Sequence, residues 1–538
     1  MLTMRRLLMV GLAIVAGVVQ TSLFAQSVQA SIAMTVERKV DADATATVVT
    51  PVVTTTVTKP PSSAIQLESL PDTVITSLHH SQVPVTSLGV FVQEVLPGTL
   101  PPPLFVWQPE LALQPASVMK LVTSYAALDL LGPAYRWKTQ VLSTGHLEED
   151  VLHGDLIIKG GGDPKLVLEN IWLLLRQTRA AGIRRIEGNV VLDRSWMEPQ
   201  AAHSATFDSA EFDGYPNRPY NVGADGLLVN YNALTLQLHD DPSGLRVSTD
   251  SLVPMQIILN VRRVSGACGE WRDKLTPHFS LLGHQLRLDL EGTYGKTCGN
   301  QNWVLQPYSL KPGDYAAVLF RQLWQEVGGE LSGEFITDVS ADLRIPTDAV
   351  SMIPTLVTEW RSPPLAEIIR DMNKYSNNVM ARQIFLTLDN SVNAIDQQGH
   401  SAVAATRRVQ DWLSGLGIST QGLVLDNGSG LSRSERISAR QLGELLSRAF
   451  ASTVMPELMA SLPILGVDGT MSKRLTLQPM VGHGHIKSGT LDDVKAIAGY
   501  VLAASGKRYV VVCLVNDPNA ARSGEAQDAL LSWVYQHG

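Results

Sequence analysis

At 538 residues, 45% hydrophobic and 17% charged, the chain has ample apolar mass for a core and is long for a single domain. Its formal charge of -8 speaks against nucleic acid as a partner and against a polybasic membrane patch. Contact with a cell wall or a membrane surface is therefore expected to be peripheral at most.

Residues 1–33 read as a secretory signal. Arg5 and Arg6 form a positive start, residues 7–19 are apolar but short for a bilayer, and Ala25 and Ala30 offer cleavage positions. Export to the periplasm is the expectation. A linker is expected over 34–83. Within it, residues 41–63 hold seven Thr and five Val among 23 residues, with Pro51, Pro60 and Pro61. No helical period or sustained alternation is present there, so the stretch reads as a disordered tether.

Folded sequence is expected from Pro84, with a strand over 88–95 and a turn at Pro97-Gly98. A helical run follows over 115–131. Pro115 suits its first turn, Gly132-Pro133 its stop, and Leu121, Tyr125 and Leu128 its buried face. The run opens with Ser117-Val118-Met119-Lys120. Three apart on a helix, Ser117 and Lys120 share a face. A serine hydroxyl needs a base within reach, and a lysine kept neutral by burial or a nearby cation can be that base. Alone, an S-x-x-K is more often an ordinary exposed pair.

About 255 residues separate Lys120 from the next serine of interest, Ser376. Connections inside a compact domain are short, so this gap must hold extra folded structure. A mainly β insertion over 147–346 is expected, with strands near 151–159, 188–193, 233–238, 255–264 and 285–290 and few helices, one of them over 166–181. Lys159-Gly160-Gly161-Gly162-Asp163-Pro164 lacks the phosphate-loop pattern and reads as a tight turn. Cys268 and Cys298 can pair in an oxidising compartment; as zinc ligands they lack clustered His partners.

The catalytic unit is expected to resume at 347 and run to 538. Leu365, Ile368, Ile369 and Met372 form an amphipathic helix running into Ser376-Asn377-Asn378, an S-x-N. A second S-x-N, Ser391-Val392-Asn393, sits in a polar stretch. A turn-rich loop, 425–431, leads to a helix over 438–451. His483 and His485 read as loop residues rather than metal ligands, since no third ligand is near. Lys487-Ser488-Gly489-Thr490 gives K-[ST]-G-T. Two strands, 496–503 and 508–515, form a hairpin with Cys513 as a core residue, and a last helix covers 525–536. The expected fold is an α/β sandwich, an antiparallel sheet with helices on both faces. Lys487 should lie on its edge strand beside the Ser117 helix.

Ser117, Ser376 and Lys487 occur in the order of the penicillin-recognising serine enzymes. Five further stretches sharpen the likeness: Ile158-Lys159-Gly160-Gly161-Gly162-Asp163-Pro164, Asn230-Tyr231-Asn232, Asp426-Asn427-Gly428-Ser429-Gly430-Leu431-Ser432-Arg433, Gly466-Val467-Asp468-Gly469-Thr470 and Gly489-Thr490-Leu491. From about residue 85 onward the chain resembles the D-alanyl-D-alanine carboxypeptidases/endopeptidases of the class C low-molecular-mass penicillin-binding proteins. Ser488 stands where many members have Thr, with the hydroxyl kept.

That resemblance implies a transpeptidase/β-lactamase-like sandwich with two nested insertion domains. It implies Ser117 as acyl-enzyme nucleophile, Lys120 as base, Ser376 as proton relay, Asn378 as positioner of Lys120 and substrate, and Lys487 as a source of positive potential. Ser488, Gly489 and Thr490 would line the substrate carboxylate, and the N–H groups of Ser117 and Thr490 the oxyanion. Peptidoglycan stem peptides are the implied substrates and β-lactams the implied inhibitors, with no metal and no organic cofactor. A serine β-lactamase shares the motif order, but the long gap speaks against it. A catalytically weak penicillin-sensing or wall-binding protein is opposed by the intact motif residues.

Overall fold

The last three strands of the chain build the sheet that positions the motif residues. In the computed structural model, Gly484–Leu491, Val494–Leu502 and Arg508–Asn516 run antiparallel, followed in the sheet by Leu88–Glu94 and Phe105–Trp107. The described residues are 69–96, 98–99, 101–197, 212–249, 253–311, 313–337, 354–389 and 399–538. The expected signal, most of the expected linker and the second S-x-N at Ser391 lie outside them.

The start and the end of the folded chain meet in this sheet: Leu88–Glu94 pairs along its length with Arg508–Asn516, from Leu88↔Val515 to Glu94↔Tyr509. Helices cover both faces. Successive side chains of a strand point to opposite faces, so Val510, Val512 and Leu514 enter one core while Val511, Cys513 and Val515 enter the other. A strand covered on both sides reads as the unbroken apolar run seen in the sequence. Each of these aliphatic side chains, fully buried, stabilises the fold by about 1.5–3 kcal/mol relative to exposure. The first core is closed by Lys120–Leu131, Leu365–Tyr375, Asn378–Thr387, Ala402–Gly415 and Ala439–Phe450. The second is closed by Gly524–His537 and by a helix that the sequence reading placed in the linker.

That helix, Asp72–Ser81, corrects the expected start of folded structure at 84. Its sequence, DTVITSLHHS, is mostly polar and resembles a tether. Val74 and Leu78, one turn apart, are buried in the core that holds Leu530, Leu531 and Val534 of the last helix.

Strand-rich structure fills the long gap, but the expected boundaries at 147 and 346 miss its edges. Lys138–Ser143 and Thr355–Arg361 pair antiparallel with each other and belong to the five-stranded sheet that also contains Leu156–Lys159, Val190–Asp193 and Phe335–Ile336. The chain thus enters and leaves this region on adjacent strands. The strand expected over 151–159 is two, Val151–His153 and Leu156–Lys159, in different sheets. Gly154 separates them where its backbone runs against Gly145; a Cβ at Gly154 would lie 2.6 Å from the Gly145 Cα. The helix placed at 166–181 is present as Leu168–Ala180, and another, Asp314–Glu326, was not located from the sequence although Tyr315, Val318, Leu319 and Leu323 carry its period. Cys268 and Cys298 form a disulfide.

Glycines 160–162 have no regular structure, Gly162 being left-handed at φ +74°, and the expected turn falls at Pro164-Lys165. Their small size serves close packing. A Cβ at Gly160 would lie 2.2 Å from the Gly226 carbonyl oxygen, and one at Gly161 2.1 Å from that of Lys138.

Candidate active site

Ser117 lies in a 3-10 turn, Ala116–Met119, that feeds directly into the α-helix Lys120–Leu131; the expected single helix has this tighter entrance. Ala116 has φ +46°, a left-handed conformation that costs a non-glycine residue about 1–3 kcal/mol. Two glycines hold it there. A Cβ on Gly430 would lie 1.8 Å from the Ala116 carbonyl oxygen, and one on Gly489 2.8 Å from the Ser117 nitrogen. Only bare backbone fits on either side of the nucleophile turn. Just upstream, Gln114 and Asn516 exchange two hydrogen bonds, of 2.7 and 2.9 Å, which fix the approach to Ser117.

Lys120 is fully buried. Its Nζ lies 3.1 Å from Ser117 Oγ, 2.7 Å from Asn378 Oδ1 and 2.5 Å from the Ser429 carbonyl oxygen. Burial, and then the neighbouring charge of Lys487, hold its pKa well below the ordinary lysine value. Two of the three neighbours are carbonyl oxygens that can only accept. A neutral amine satisfies both with its two N–H bonds, and its lone pair then faces the one neighbour with a proton to give, Ser117.

Ser376, Asn377 and Asn378 form the junction between two helices. Ser376 ends Leu365–Tyr375 in a left-handed conformation, φ +55°. Asn377 caps the next helix, its side chain accepting from the Met380 N–H at 3.0 Å. Asn378 is the first residue of that helix and points at Lys120. The S-x-N spacing is thus what a sharp helix-to-helix corner needs.

On the edge strand Gly484–Leu491, Lys487 is fully buried, and its Nζ donates to Ser376 Oγ at 2.9 Å and to the Ser488 carbonyl at 2.8 Å. Burial pushes its pKa down to about 7. Ser488 is half-buried and Thr490 exposed, with Gly489 between them against the nucleophile turn. Direct hydrogen bonds thus join Ser117, Lys120 and Asn378 in one set and Ser376 and Lys487 in another, and the charge of Lys487 is felt at Lys120. His483 and His485 are not part of this site. His485 corrects its expected place in a loop, since it lies within the edge strand, and its Nδ1 is 3.1 Å from the Met459 carbonyl.

Comparison with known proteins decides the family. The profile of the D-Ala-D-Ala carboxypeptidase 3 (S13) family matches residues 73–537. The chain belongs to this family. Among S13-like relatives, it is 28% identical over 447 residues to a D-alanyl-D-alanine carboxypeptidase of Actinomadura sp. (strain R39), covering 78% of this chain and 76% of that one. It is 25% identical over 425 residues to D-alanyl-D-alanine carboxypeptidase DacB of Haemophilus influenzae, covering 74% and 80%. In fold it is similar to the crystal structure of penicillin binding protein 4 (dacB) from Haemophilus influenzae, with TM-score 0.71 at 21% identity, over 87% of this chain and 100% of that one. As an S13 peptidase it is a serine-type D-Ala-D-Ala carboxypeptidase.

Several residues around this candidate site were given no role in the sequence reading. The loop that brings Ser429 to Lys120 is tied to the nucleophile helix by Thr123, whose hydroxyl donates to the Gly428 carbonyl at 2.6 Å. The same loop is held from below by Glu435. This fully buried carboxylate accepts the N–H groups of Asn427 and Gly428 at 3.2 and 3.1 Å. Burial, with Asp426 nearby, pushes Glu435 up to about 7. Thr470 stands 2.9 Å from Ser488, hydroxyl to hydroxyl. Its turn is anchored by the Lys374–Asp468 ion pair at 2.6 Å, and a Cβ on Gly469 would lie 2.6 Å from the Lys374 carbonyl oxygen.

The strand-rich region also reaches the candidate site. Asn378 Nδ2 donates to the Tyr220 carbonyl at 3.3 Å, so a residue from the gap orients the amide that faces Lys120. Arg382, one turn further along the same helix and fully buried, donates to the carbonyls of Asn221 and Val222 at 3.2 and 2.5 Å. Backbone carbonyls carry no residue signature, which is why the motifs did not reveal these contacts.

Proposed function

We propose that Ser117 Oγ attacks the carbonyl carbon of the penultimate D-Ala of a peptidoglycan stem peptide while Lys120 Nζ takes the hydroxyl proton. The observation that carries this reading is the setting of Lys120, with two carbonyl acceptors and one hydroxyl around a single buried amine. Attack creates a tetrahedral oxyanion, which the N–H groups of Ser117 and Thr490 receive. The intermediate collapses by breaking the C–N bond. The departing amine of the terminal D-Ala takes a proton from Lys120 by way of Ser376, which Lys487 holds at 2.9 Å. Water then hydrolyses the Ser117 ester, releasing the shortened peptide and restoring the hydroxyl. Lys487, Ser488 and Thr490 receive the terminal carboxylate, whose negative charge favours the protonated form of Lys487. No step calls for a metal or an organic cofactor.

Where the leaving amine belongs to a neighbouring stem peptide, the same steps cut a cross-link, so the reading includes D,D-endopeptidase activity. Penicillins would acylate the same serine; the Haemophilus influenzae protein of similar fold has been solved with a β-lactam. The site of action is the periplasm, reached through the signal in residues 1–33. The Cys268–Cys298 disulfide supports an oxidising compartment.

Product analysis tests the function. A pentapeptide ending in D-Ala-D-Ala should release one D-Ala, a cross-linked muropeptide should yield monomers, and Ser117→Ala should do neither. Rapid penicillin turnover without any peptide product would instead mark a β-lactamase. Binding of penicillin without peptide products would mark a sensor.

A further inference from the structure

We propose that His146, Glu148 and His153 form a surface site for one divalent metal ion of the zinc class. The three residues lie on a β-hairpin at the edge of the four-stranded sheet, not on the sheet that carries Lys487. His146 and His153 are direct cross-strand partners, and Glu148 follows His146 by two residues on the same strand. Side chains two apart on a strand share a face, as do cross-strand partners. All three therefore project from one face of the hairpin, while Leu152, between them in register, points into the core. The two imidazole rings stack at 5.0 Å, and one ligand atom from each of the three residues lies within 4.8 Å of the others.

The decisive feature is His153, which faces a carboxylate at each ring nitrogen. Its Nδ1 lies 2.8 Å from Glu187 Oε2, and its Nε2 lies 3.5 Å from Glu148 Oε2. A neutral imidazole has one N–H. With Nδ1 donating to Glu187, the lone pair of Nε2 is aimed at Glu148, so that the two could hold a cation between them. Zinc bound to nitrogen and oxygen at about 2.0–2.2 Å in a tetrahedron places those ligand atoms about 3.4 Å apart, close to the 3.5 Å found here. The Glu187 contact has the form of an outer carboxylate that fixes a ligand histidine's tautomer and orientation. His146 supplies the third ligand, and solvent takes the fourth position. Imidazole with carboxylate suits zinc, copper or nickel rather than calcium or magnesium.

The test uses the untagged full-length protein, stripped with chelator and dialysed against micromolar zinc chloride, with bound zinc counted by atomic absorption. Because the chain has 12 histidines, the His146→Ala/His153→Ala double variant is the necessary comparison. Wild type should retain about one zinc per chain, and the double variant should lose it with circular dichroism unchanged. Glu187→Gln should bind about tenfold more weakly. The site does not exist if wild type retains no zinc, or if the double variant retains as much as wild type. Wild-type affinity in Glu187→Gln would remove the role given to that carboxylate.

Discussion

Lys120 and Glu435 are two buried charges of opposite sign supporting the same catalytic loop, and their environments shift both toward neutrality. For Lys120 this is what the proposed role as base requires. Lys120→Arg keeps the charge and much of the length but cannot lose a proton at working pH. It should fold, and its penicillin acylation rate should drop by about 10³-fold; near wild-type acylation would mean that another group is the base. For Glu435 the consequence is a pH-dependent stability. Its folded-state value of about 7 lies above its ordinary 4.5. Between those values the unfolded chain ionises and the folded one does not, so this residue's contribution is full below 4.5 and is lost as pH rises through 7, by about 1.4 kcal/mol per pH unit. Glu435→Gln keeps an acceptor for the loop N–H groups and cannot ionise. Urea melts at pH 5 and pH 7.5 should show the variant gaining stability relative to wild type as pH rises. An unchanged difference between the two would mean that Glu435 is already ionised at pH 5.

The edge strand and the loop 426–431 act as two backbone jaws on the nucleophile turn. Gly430 is the sharper probe, with φ +81° and no room for a Cβ against Ala116. Gly430→Ala should displace Ser117, reducing penicillin acylation by about 10²-fold or more and lowering the melting temperature. Gly415→Ala, at the end of Ala402–Gly415 with nothing within 4 Å, is the matched control and should be neutral or slightly stabilising. Equal behaviour of the two variants would remove the claim that Gly430 is fixed by packing. Elements at this scale were legible where chemistry or period was explicit. Ser117, Lys120, Ser376, Asn378 and Lys487 were legible from the chemistry of their side chains, and the strands around Cys513 from their apolar run. Glu435 was missed because a lone acidic residue among Ser and Arg reads as surface. The contacts of Tyr220 and Ser429 were not foreseen because they are made by carbonyls that any residue supplies. Asp72–Ser81 was missed because its two buried apolar positions, Val74 and Leu78, are too few to show a period.

At the scale of the whole molecule, the strand-rich region lies between two halves of one sheet and contributes a carbonyl to Asn378. Ser143 and Thr355 are antiparallel partners, so a two-residue Asn-Gly turn can join them directly as a hairpin. That shortcut removes the carbonyls that Arg382 binds and would leave a buried guanidinium unpaired, so Arg382→Met belongs in the same protein. If the region's main work is to hold the remote parts of a large substrate, the shortened protein, once shown folded by circular dichroism, should lose most muropeptide cleavage. Penicillin acylation should fall by no more than about tenfold, the worth of one lost hydrogen bond at Asn378. Equal losses on both substrates would show that the region shapes the setting of Ser117 itself.

The central claim is that Ser117 is the nucleophile that Lys120 deprotonates. Its most direct test is mass spectrometry of the intact protein, and of its peptides, after brief exposure to benzylpenicillin. The account predicts one penicilloyl adduct per chain, carried by the peptide containing Ser117 and absent from both Ser117→Ala and Lys120→Arg. An adduct mapped to any other residue, or folded wild-type protein with no adduct at all, would contradict it.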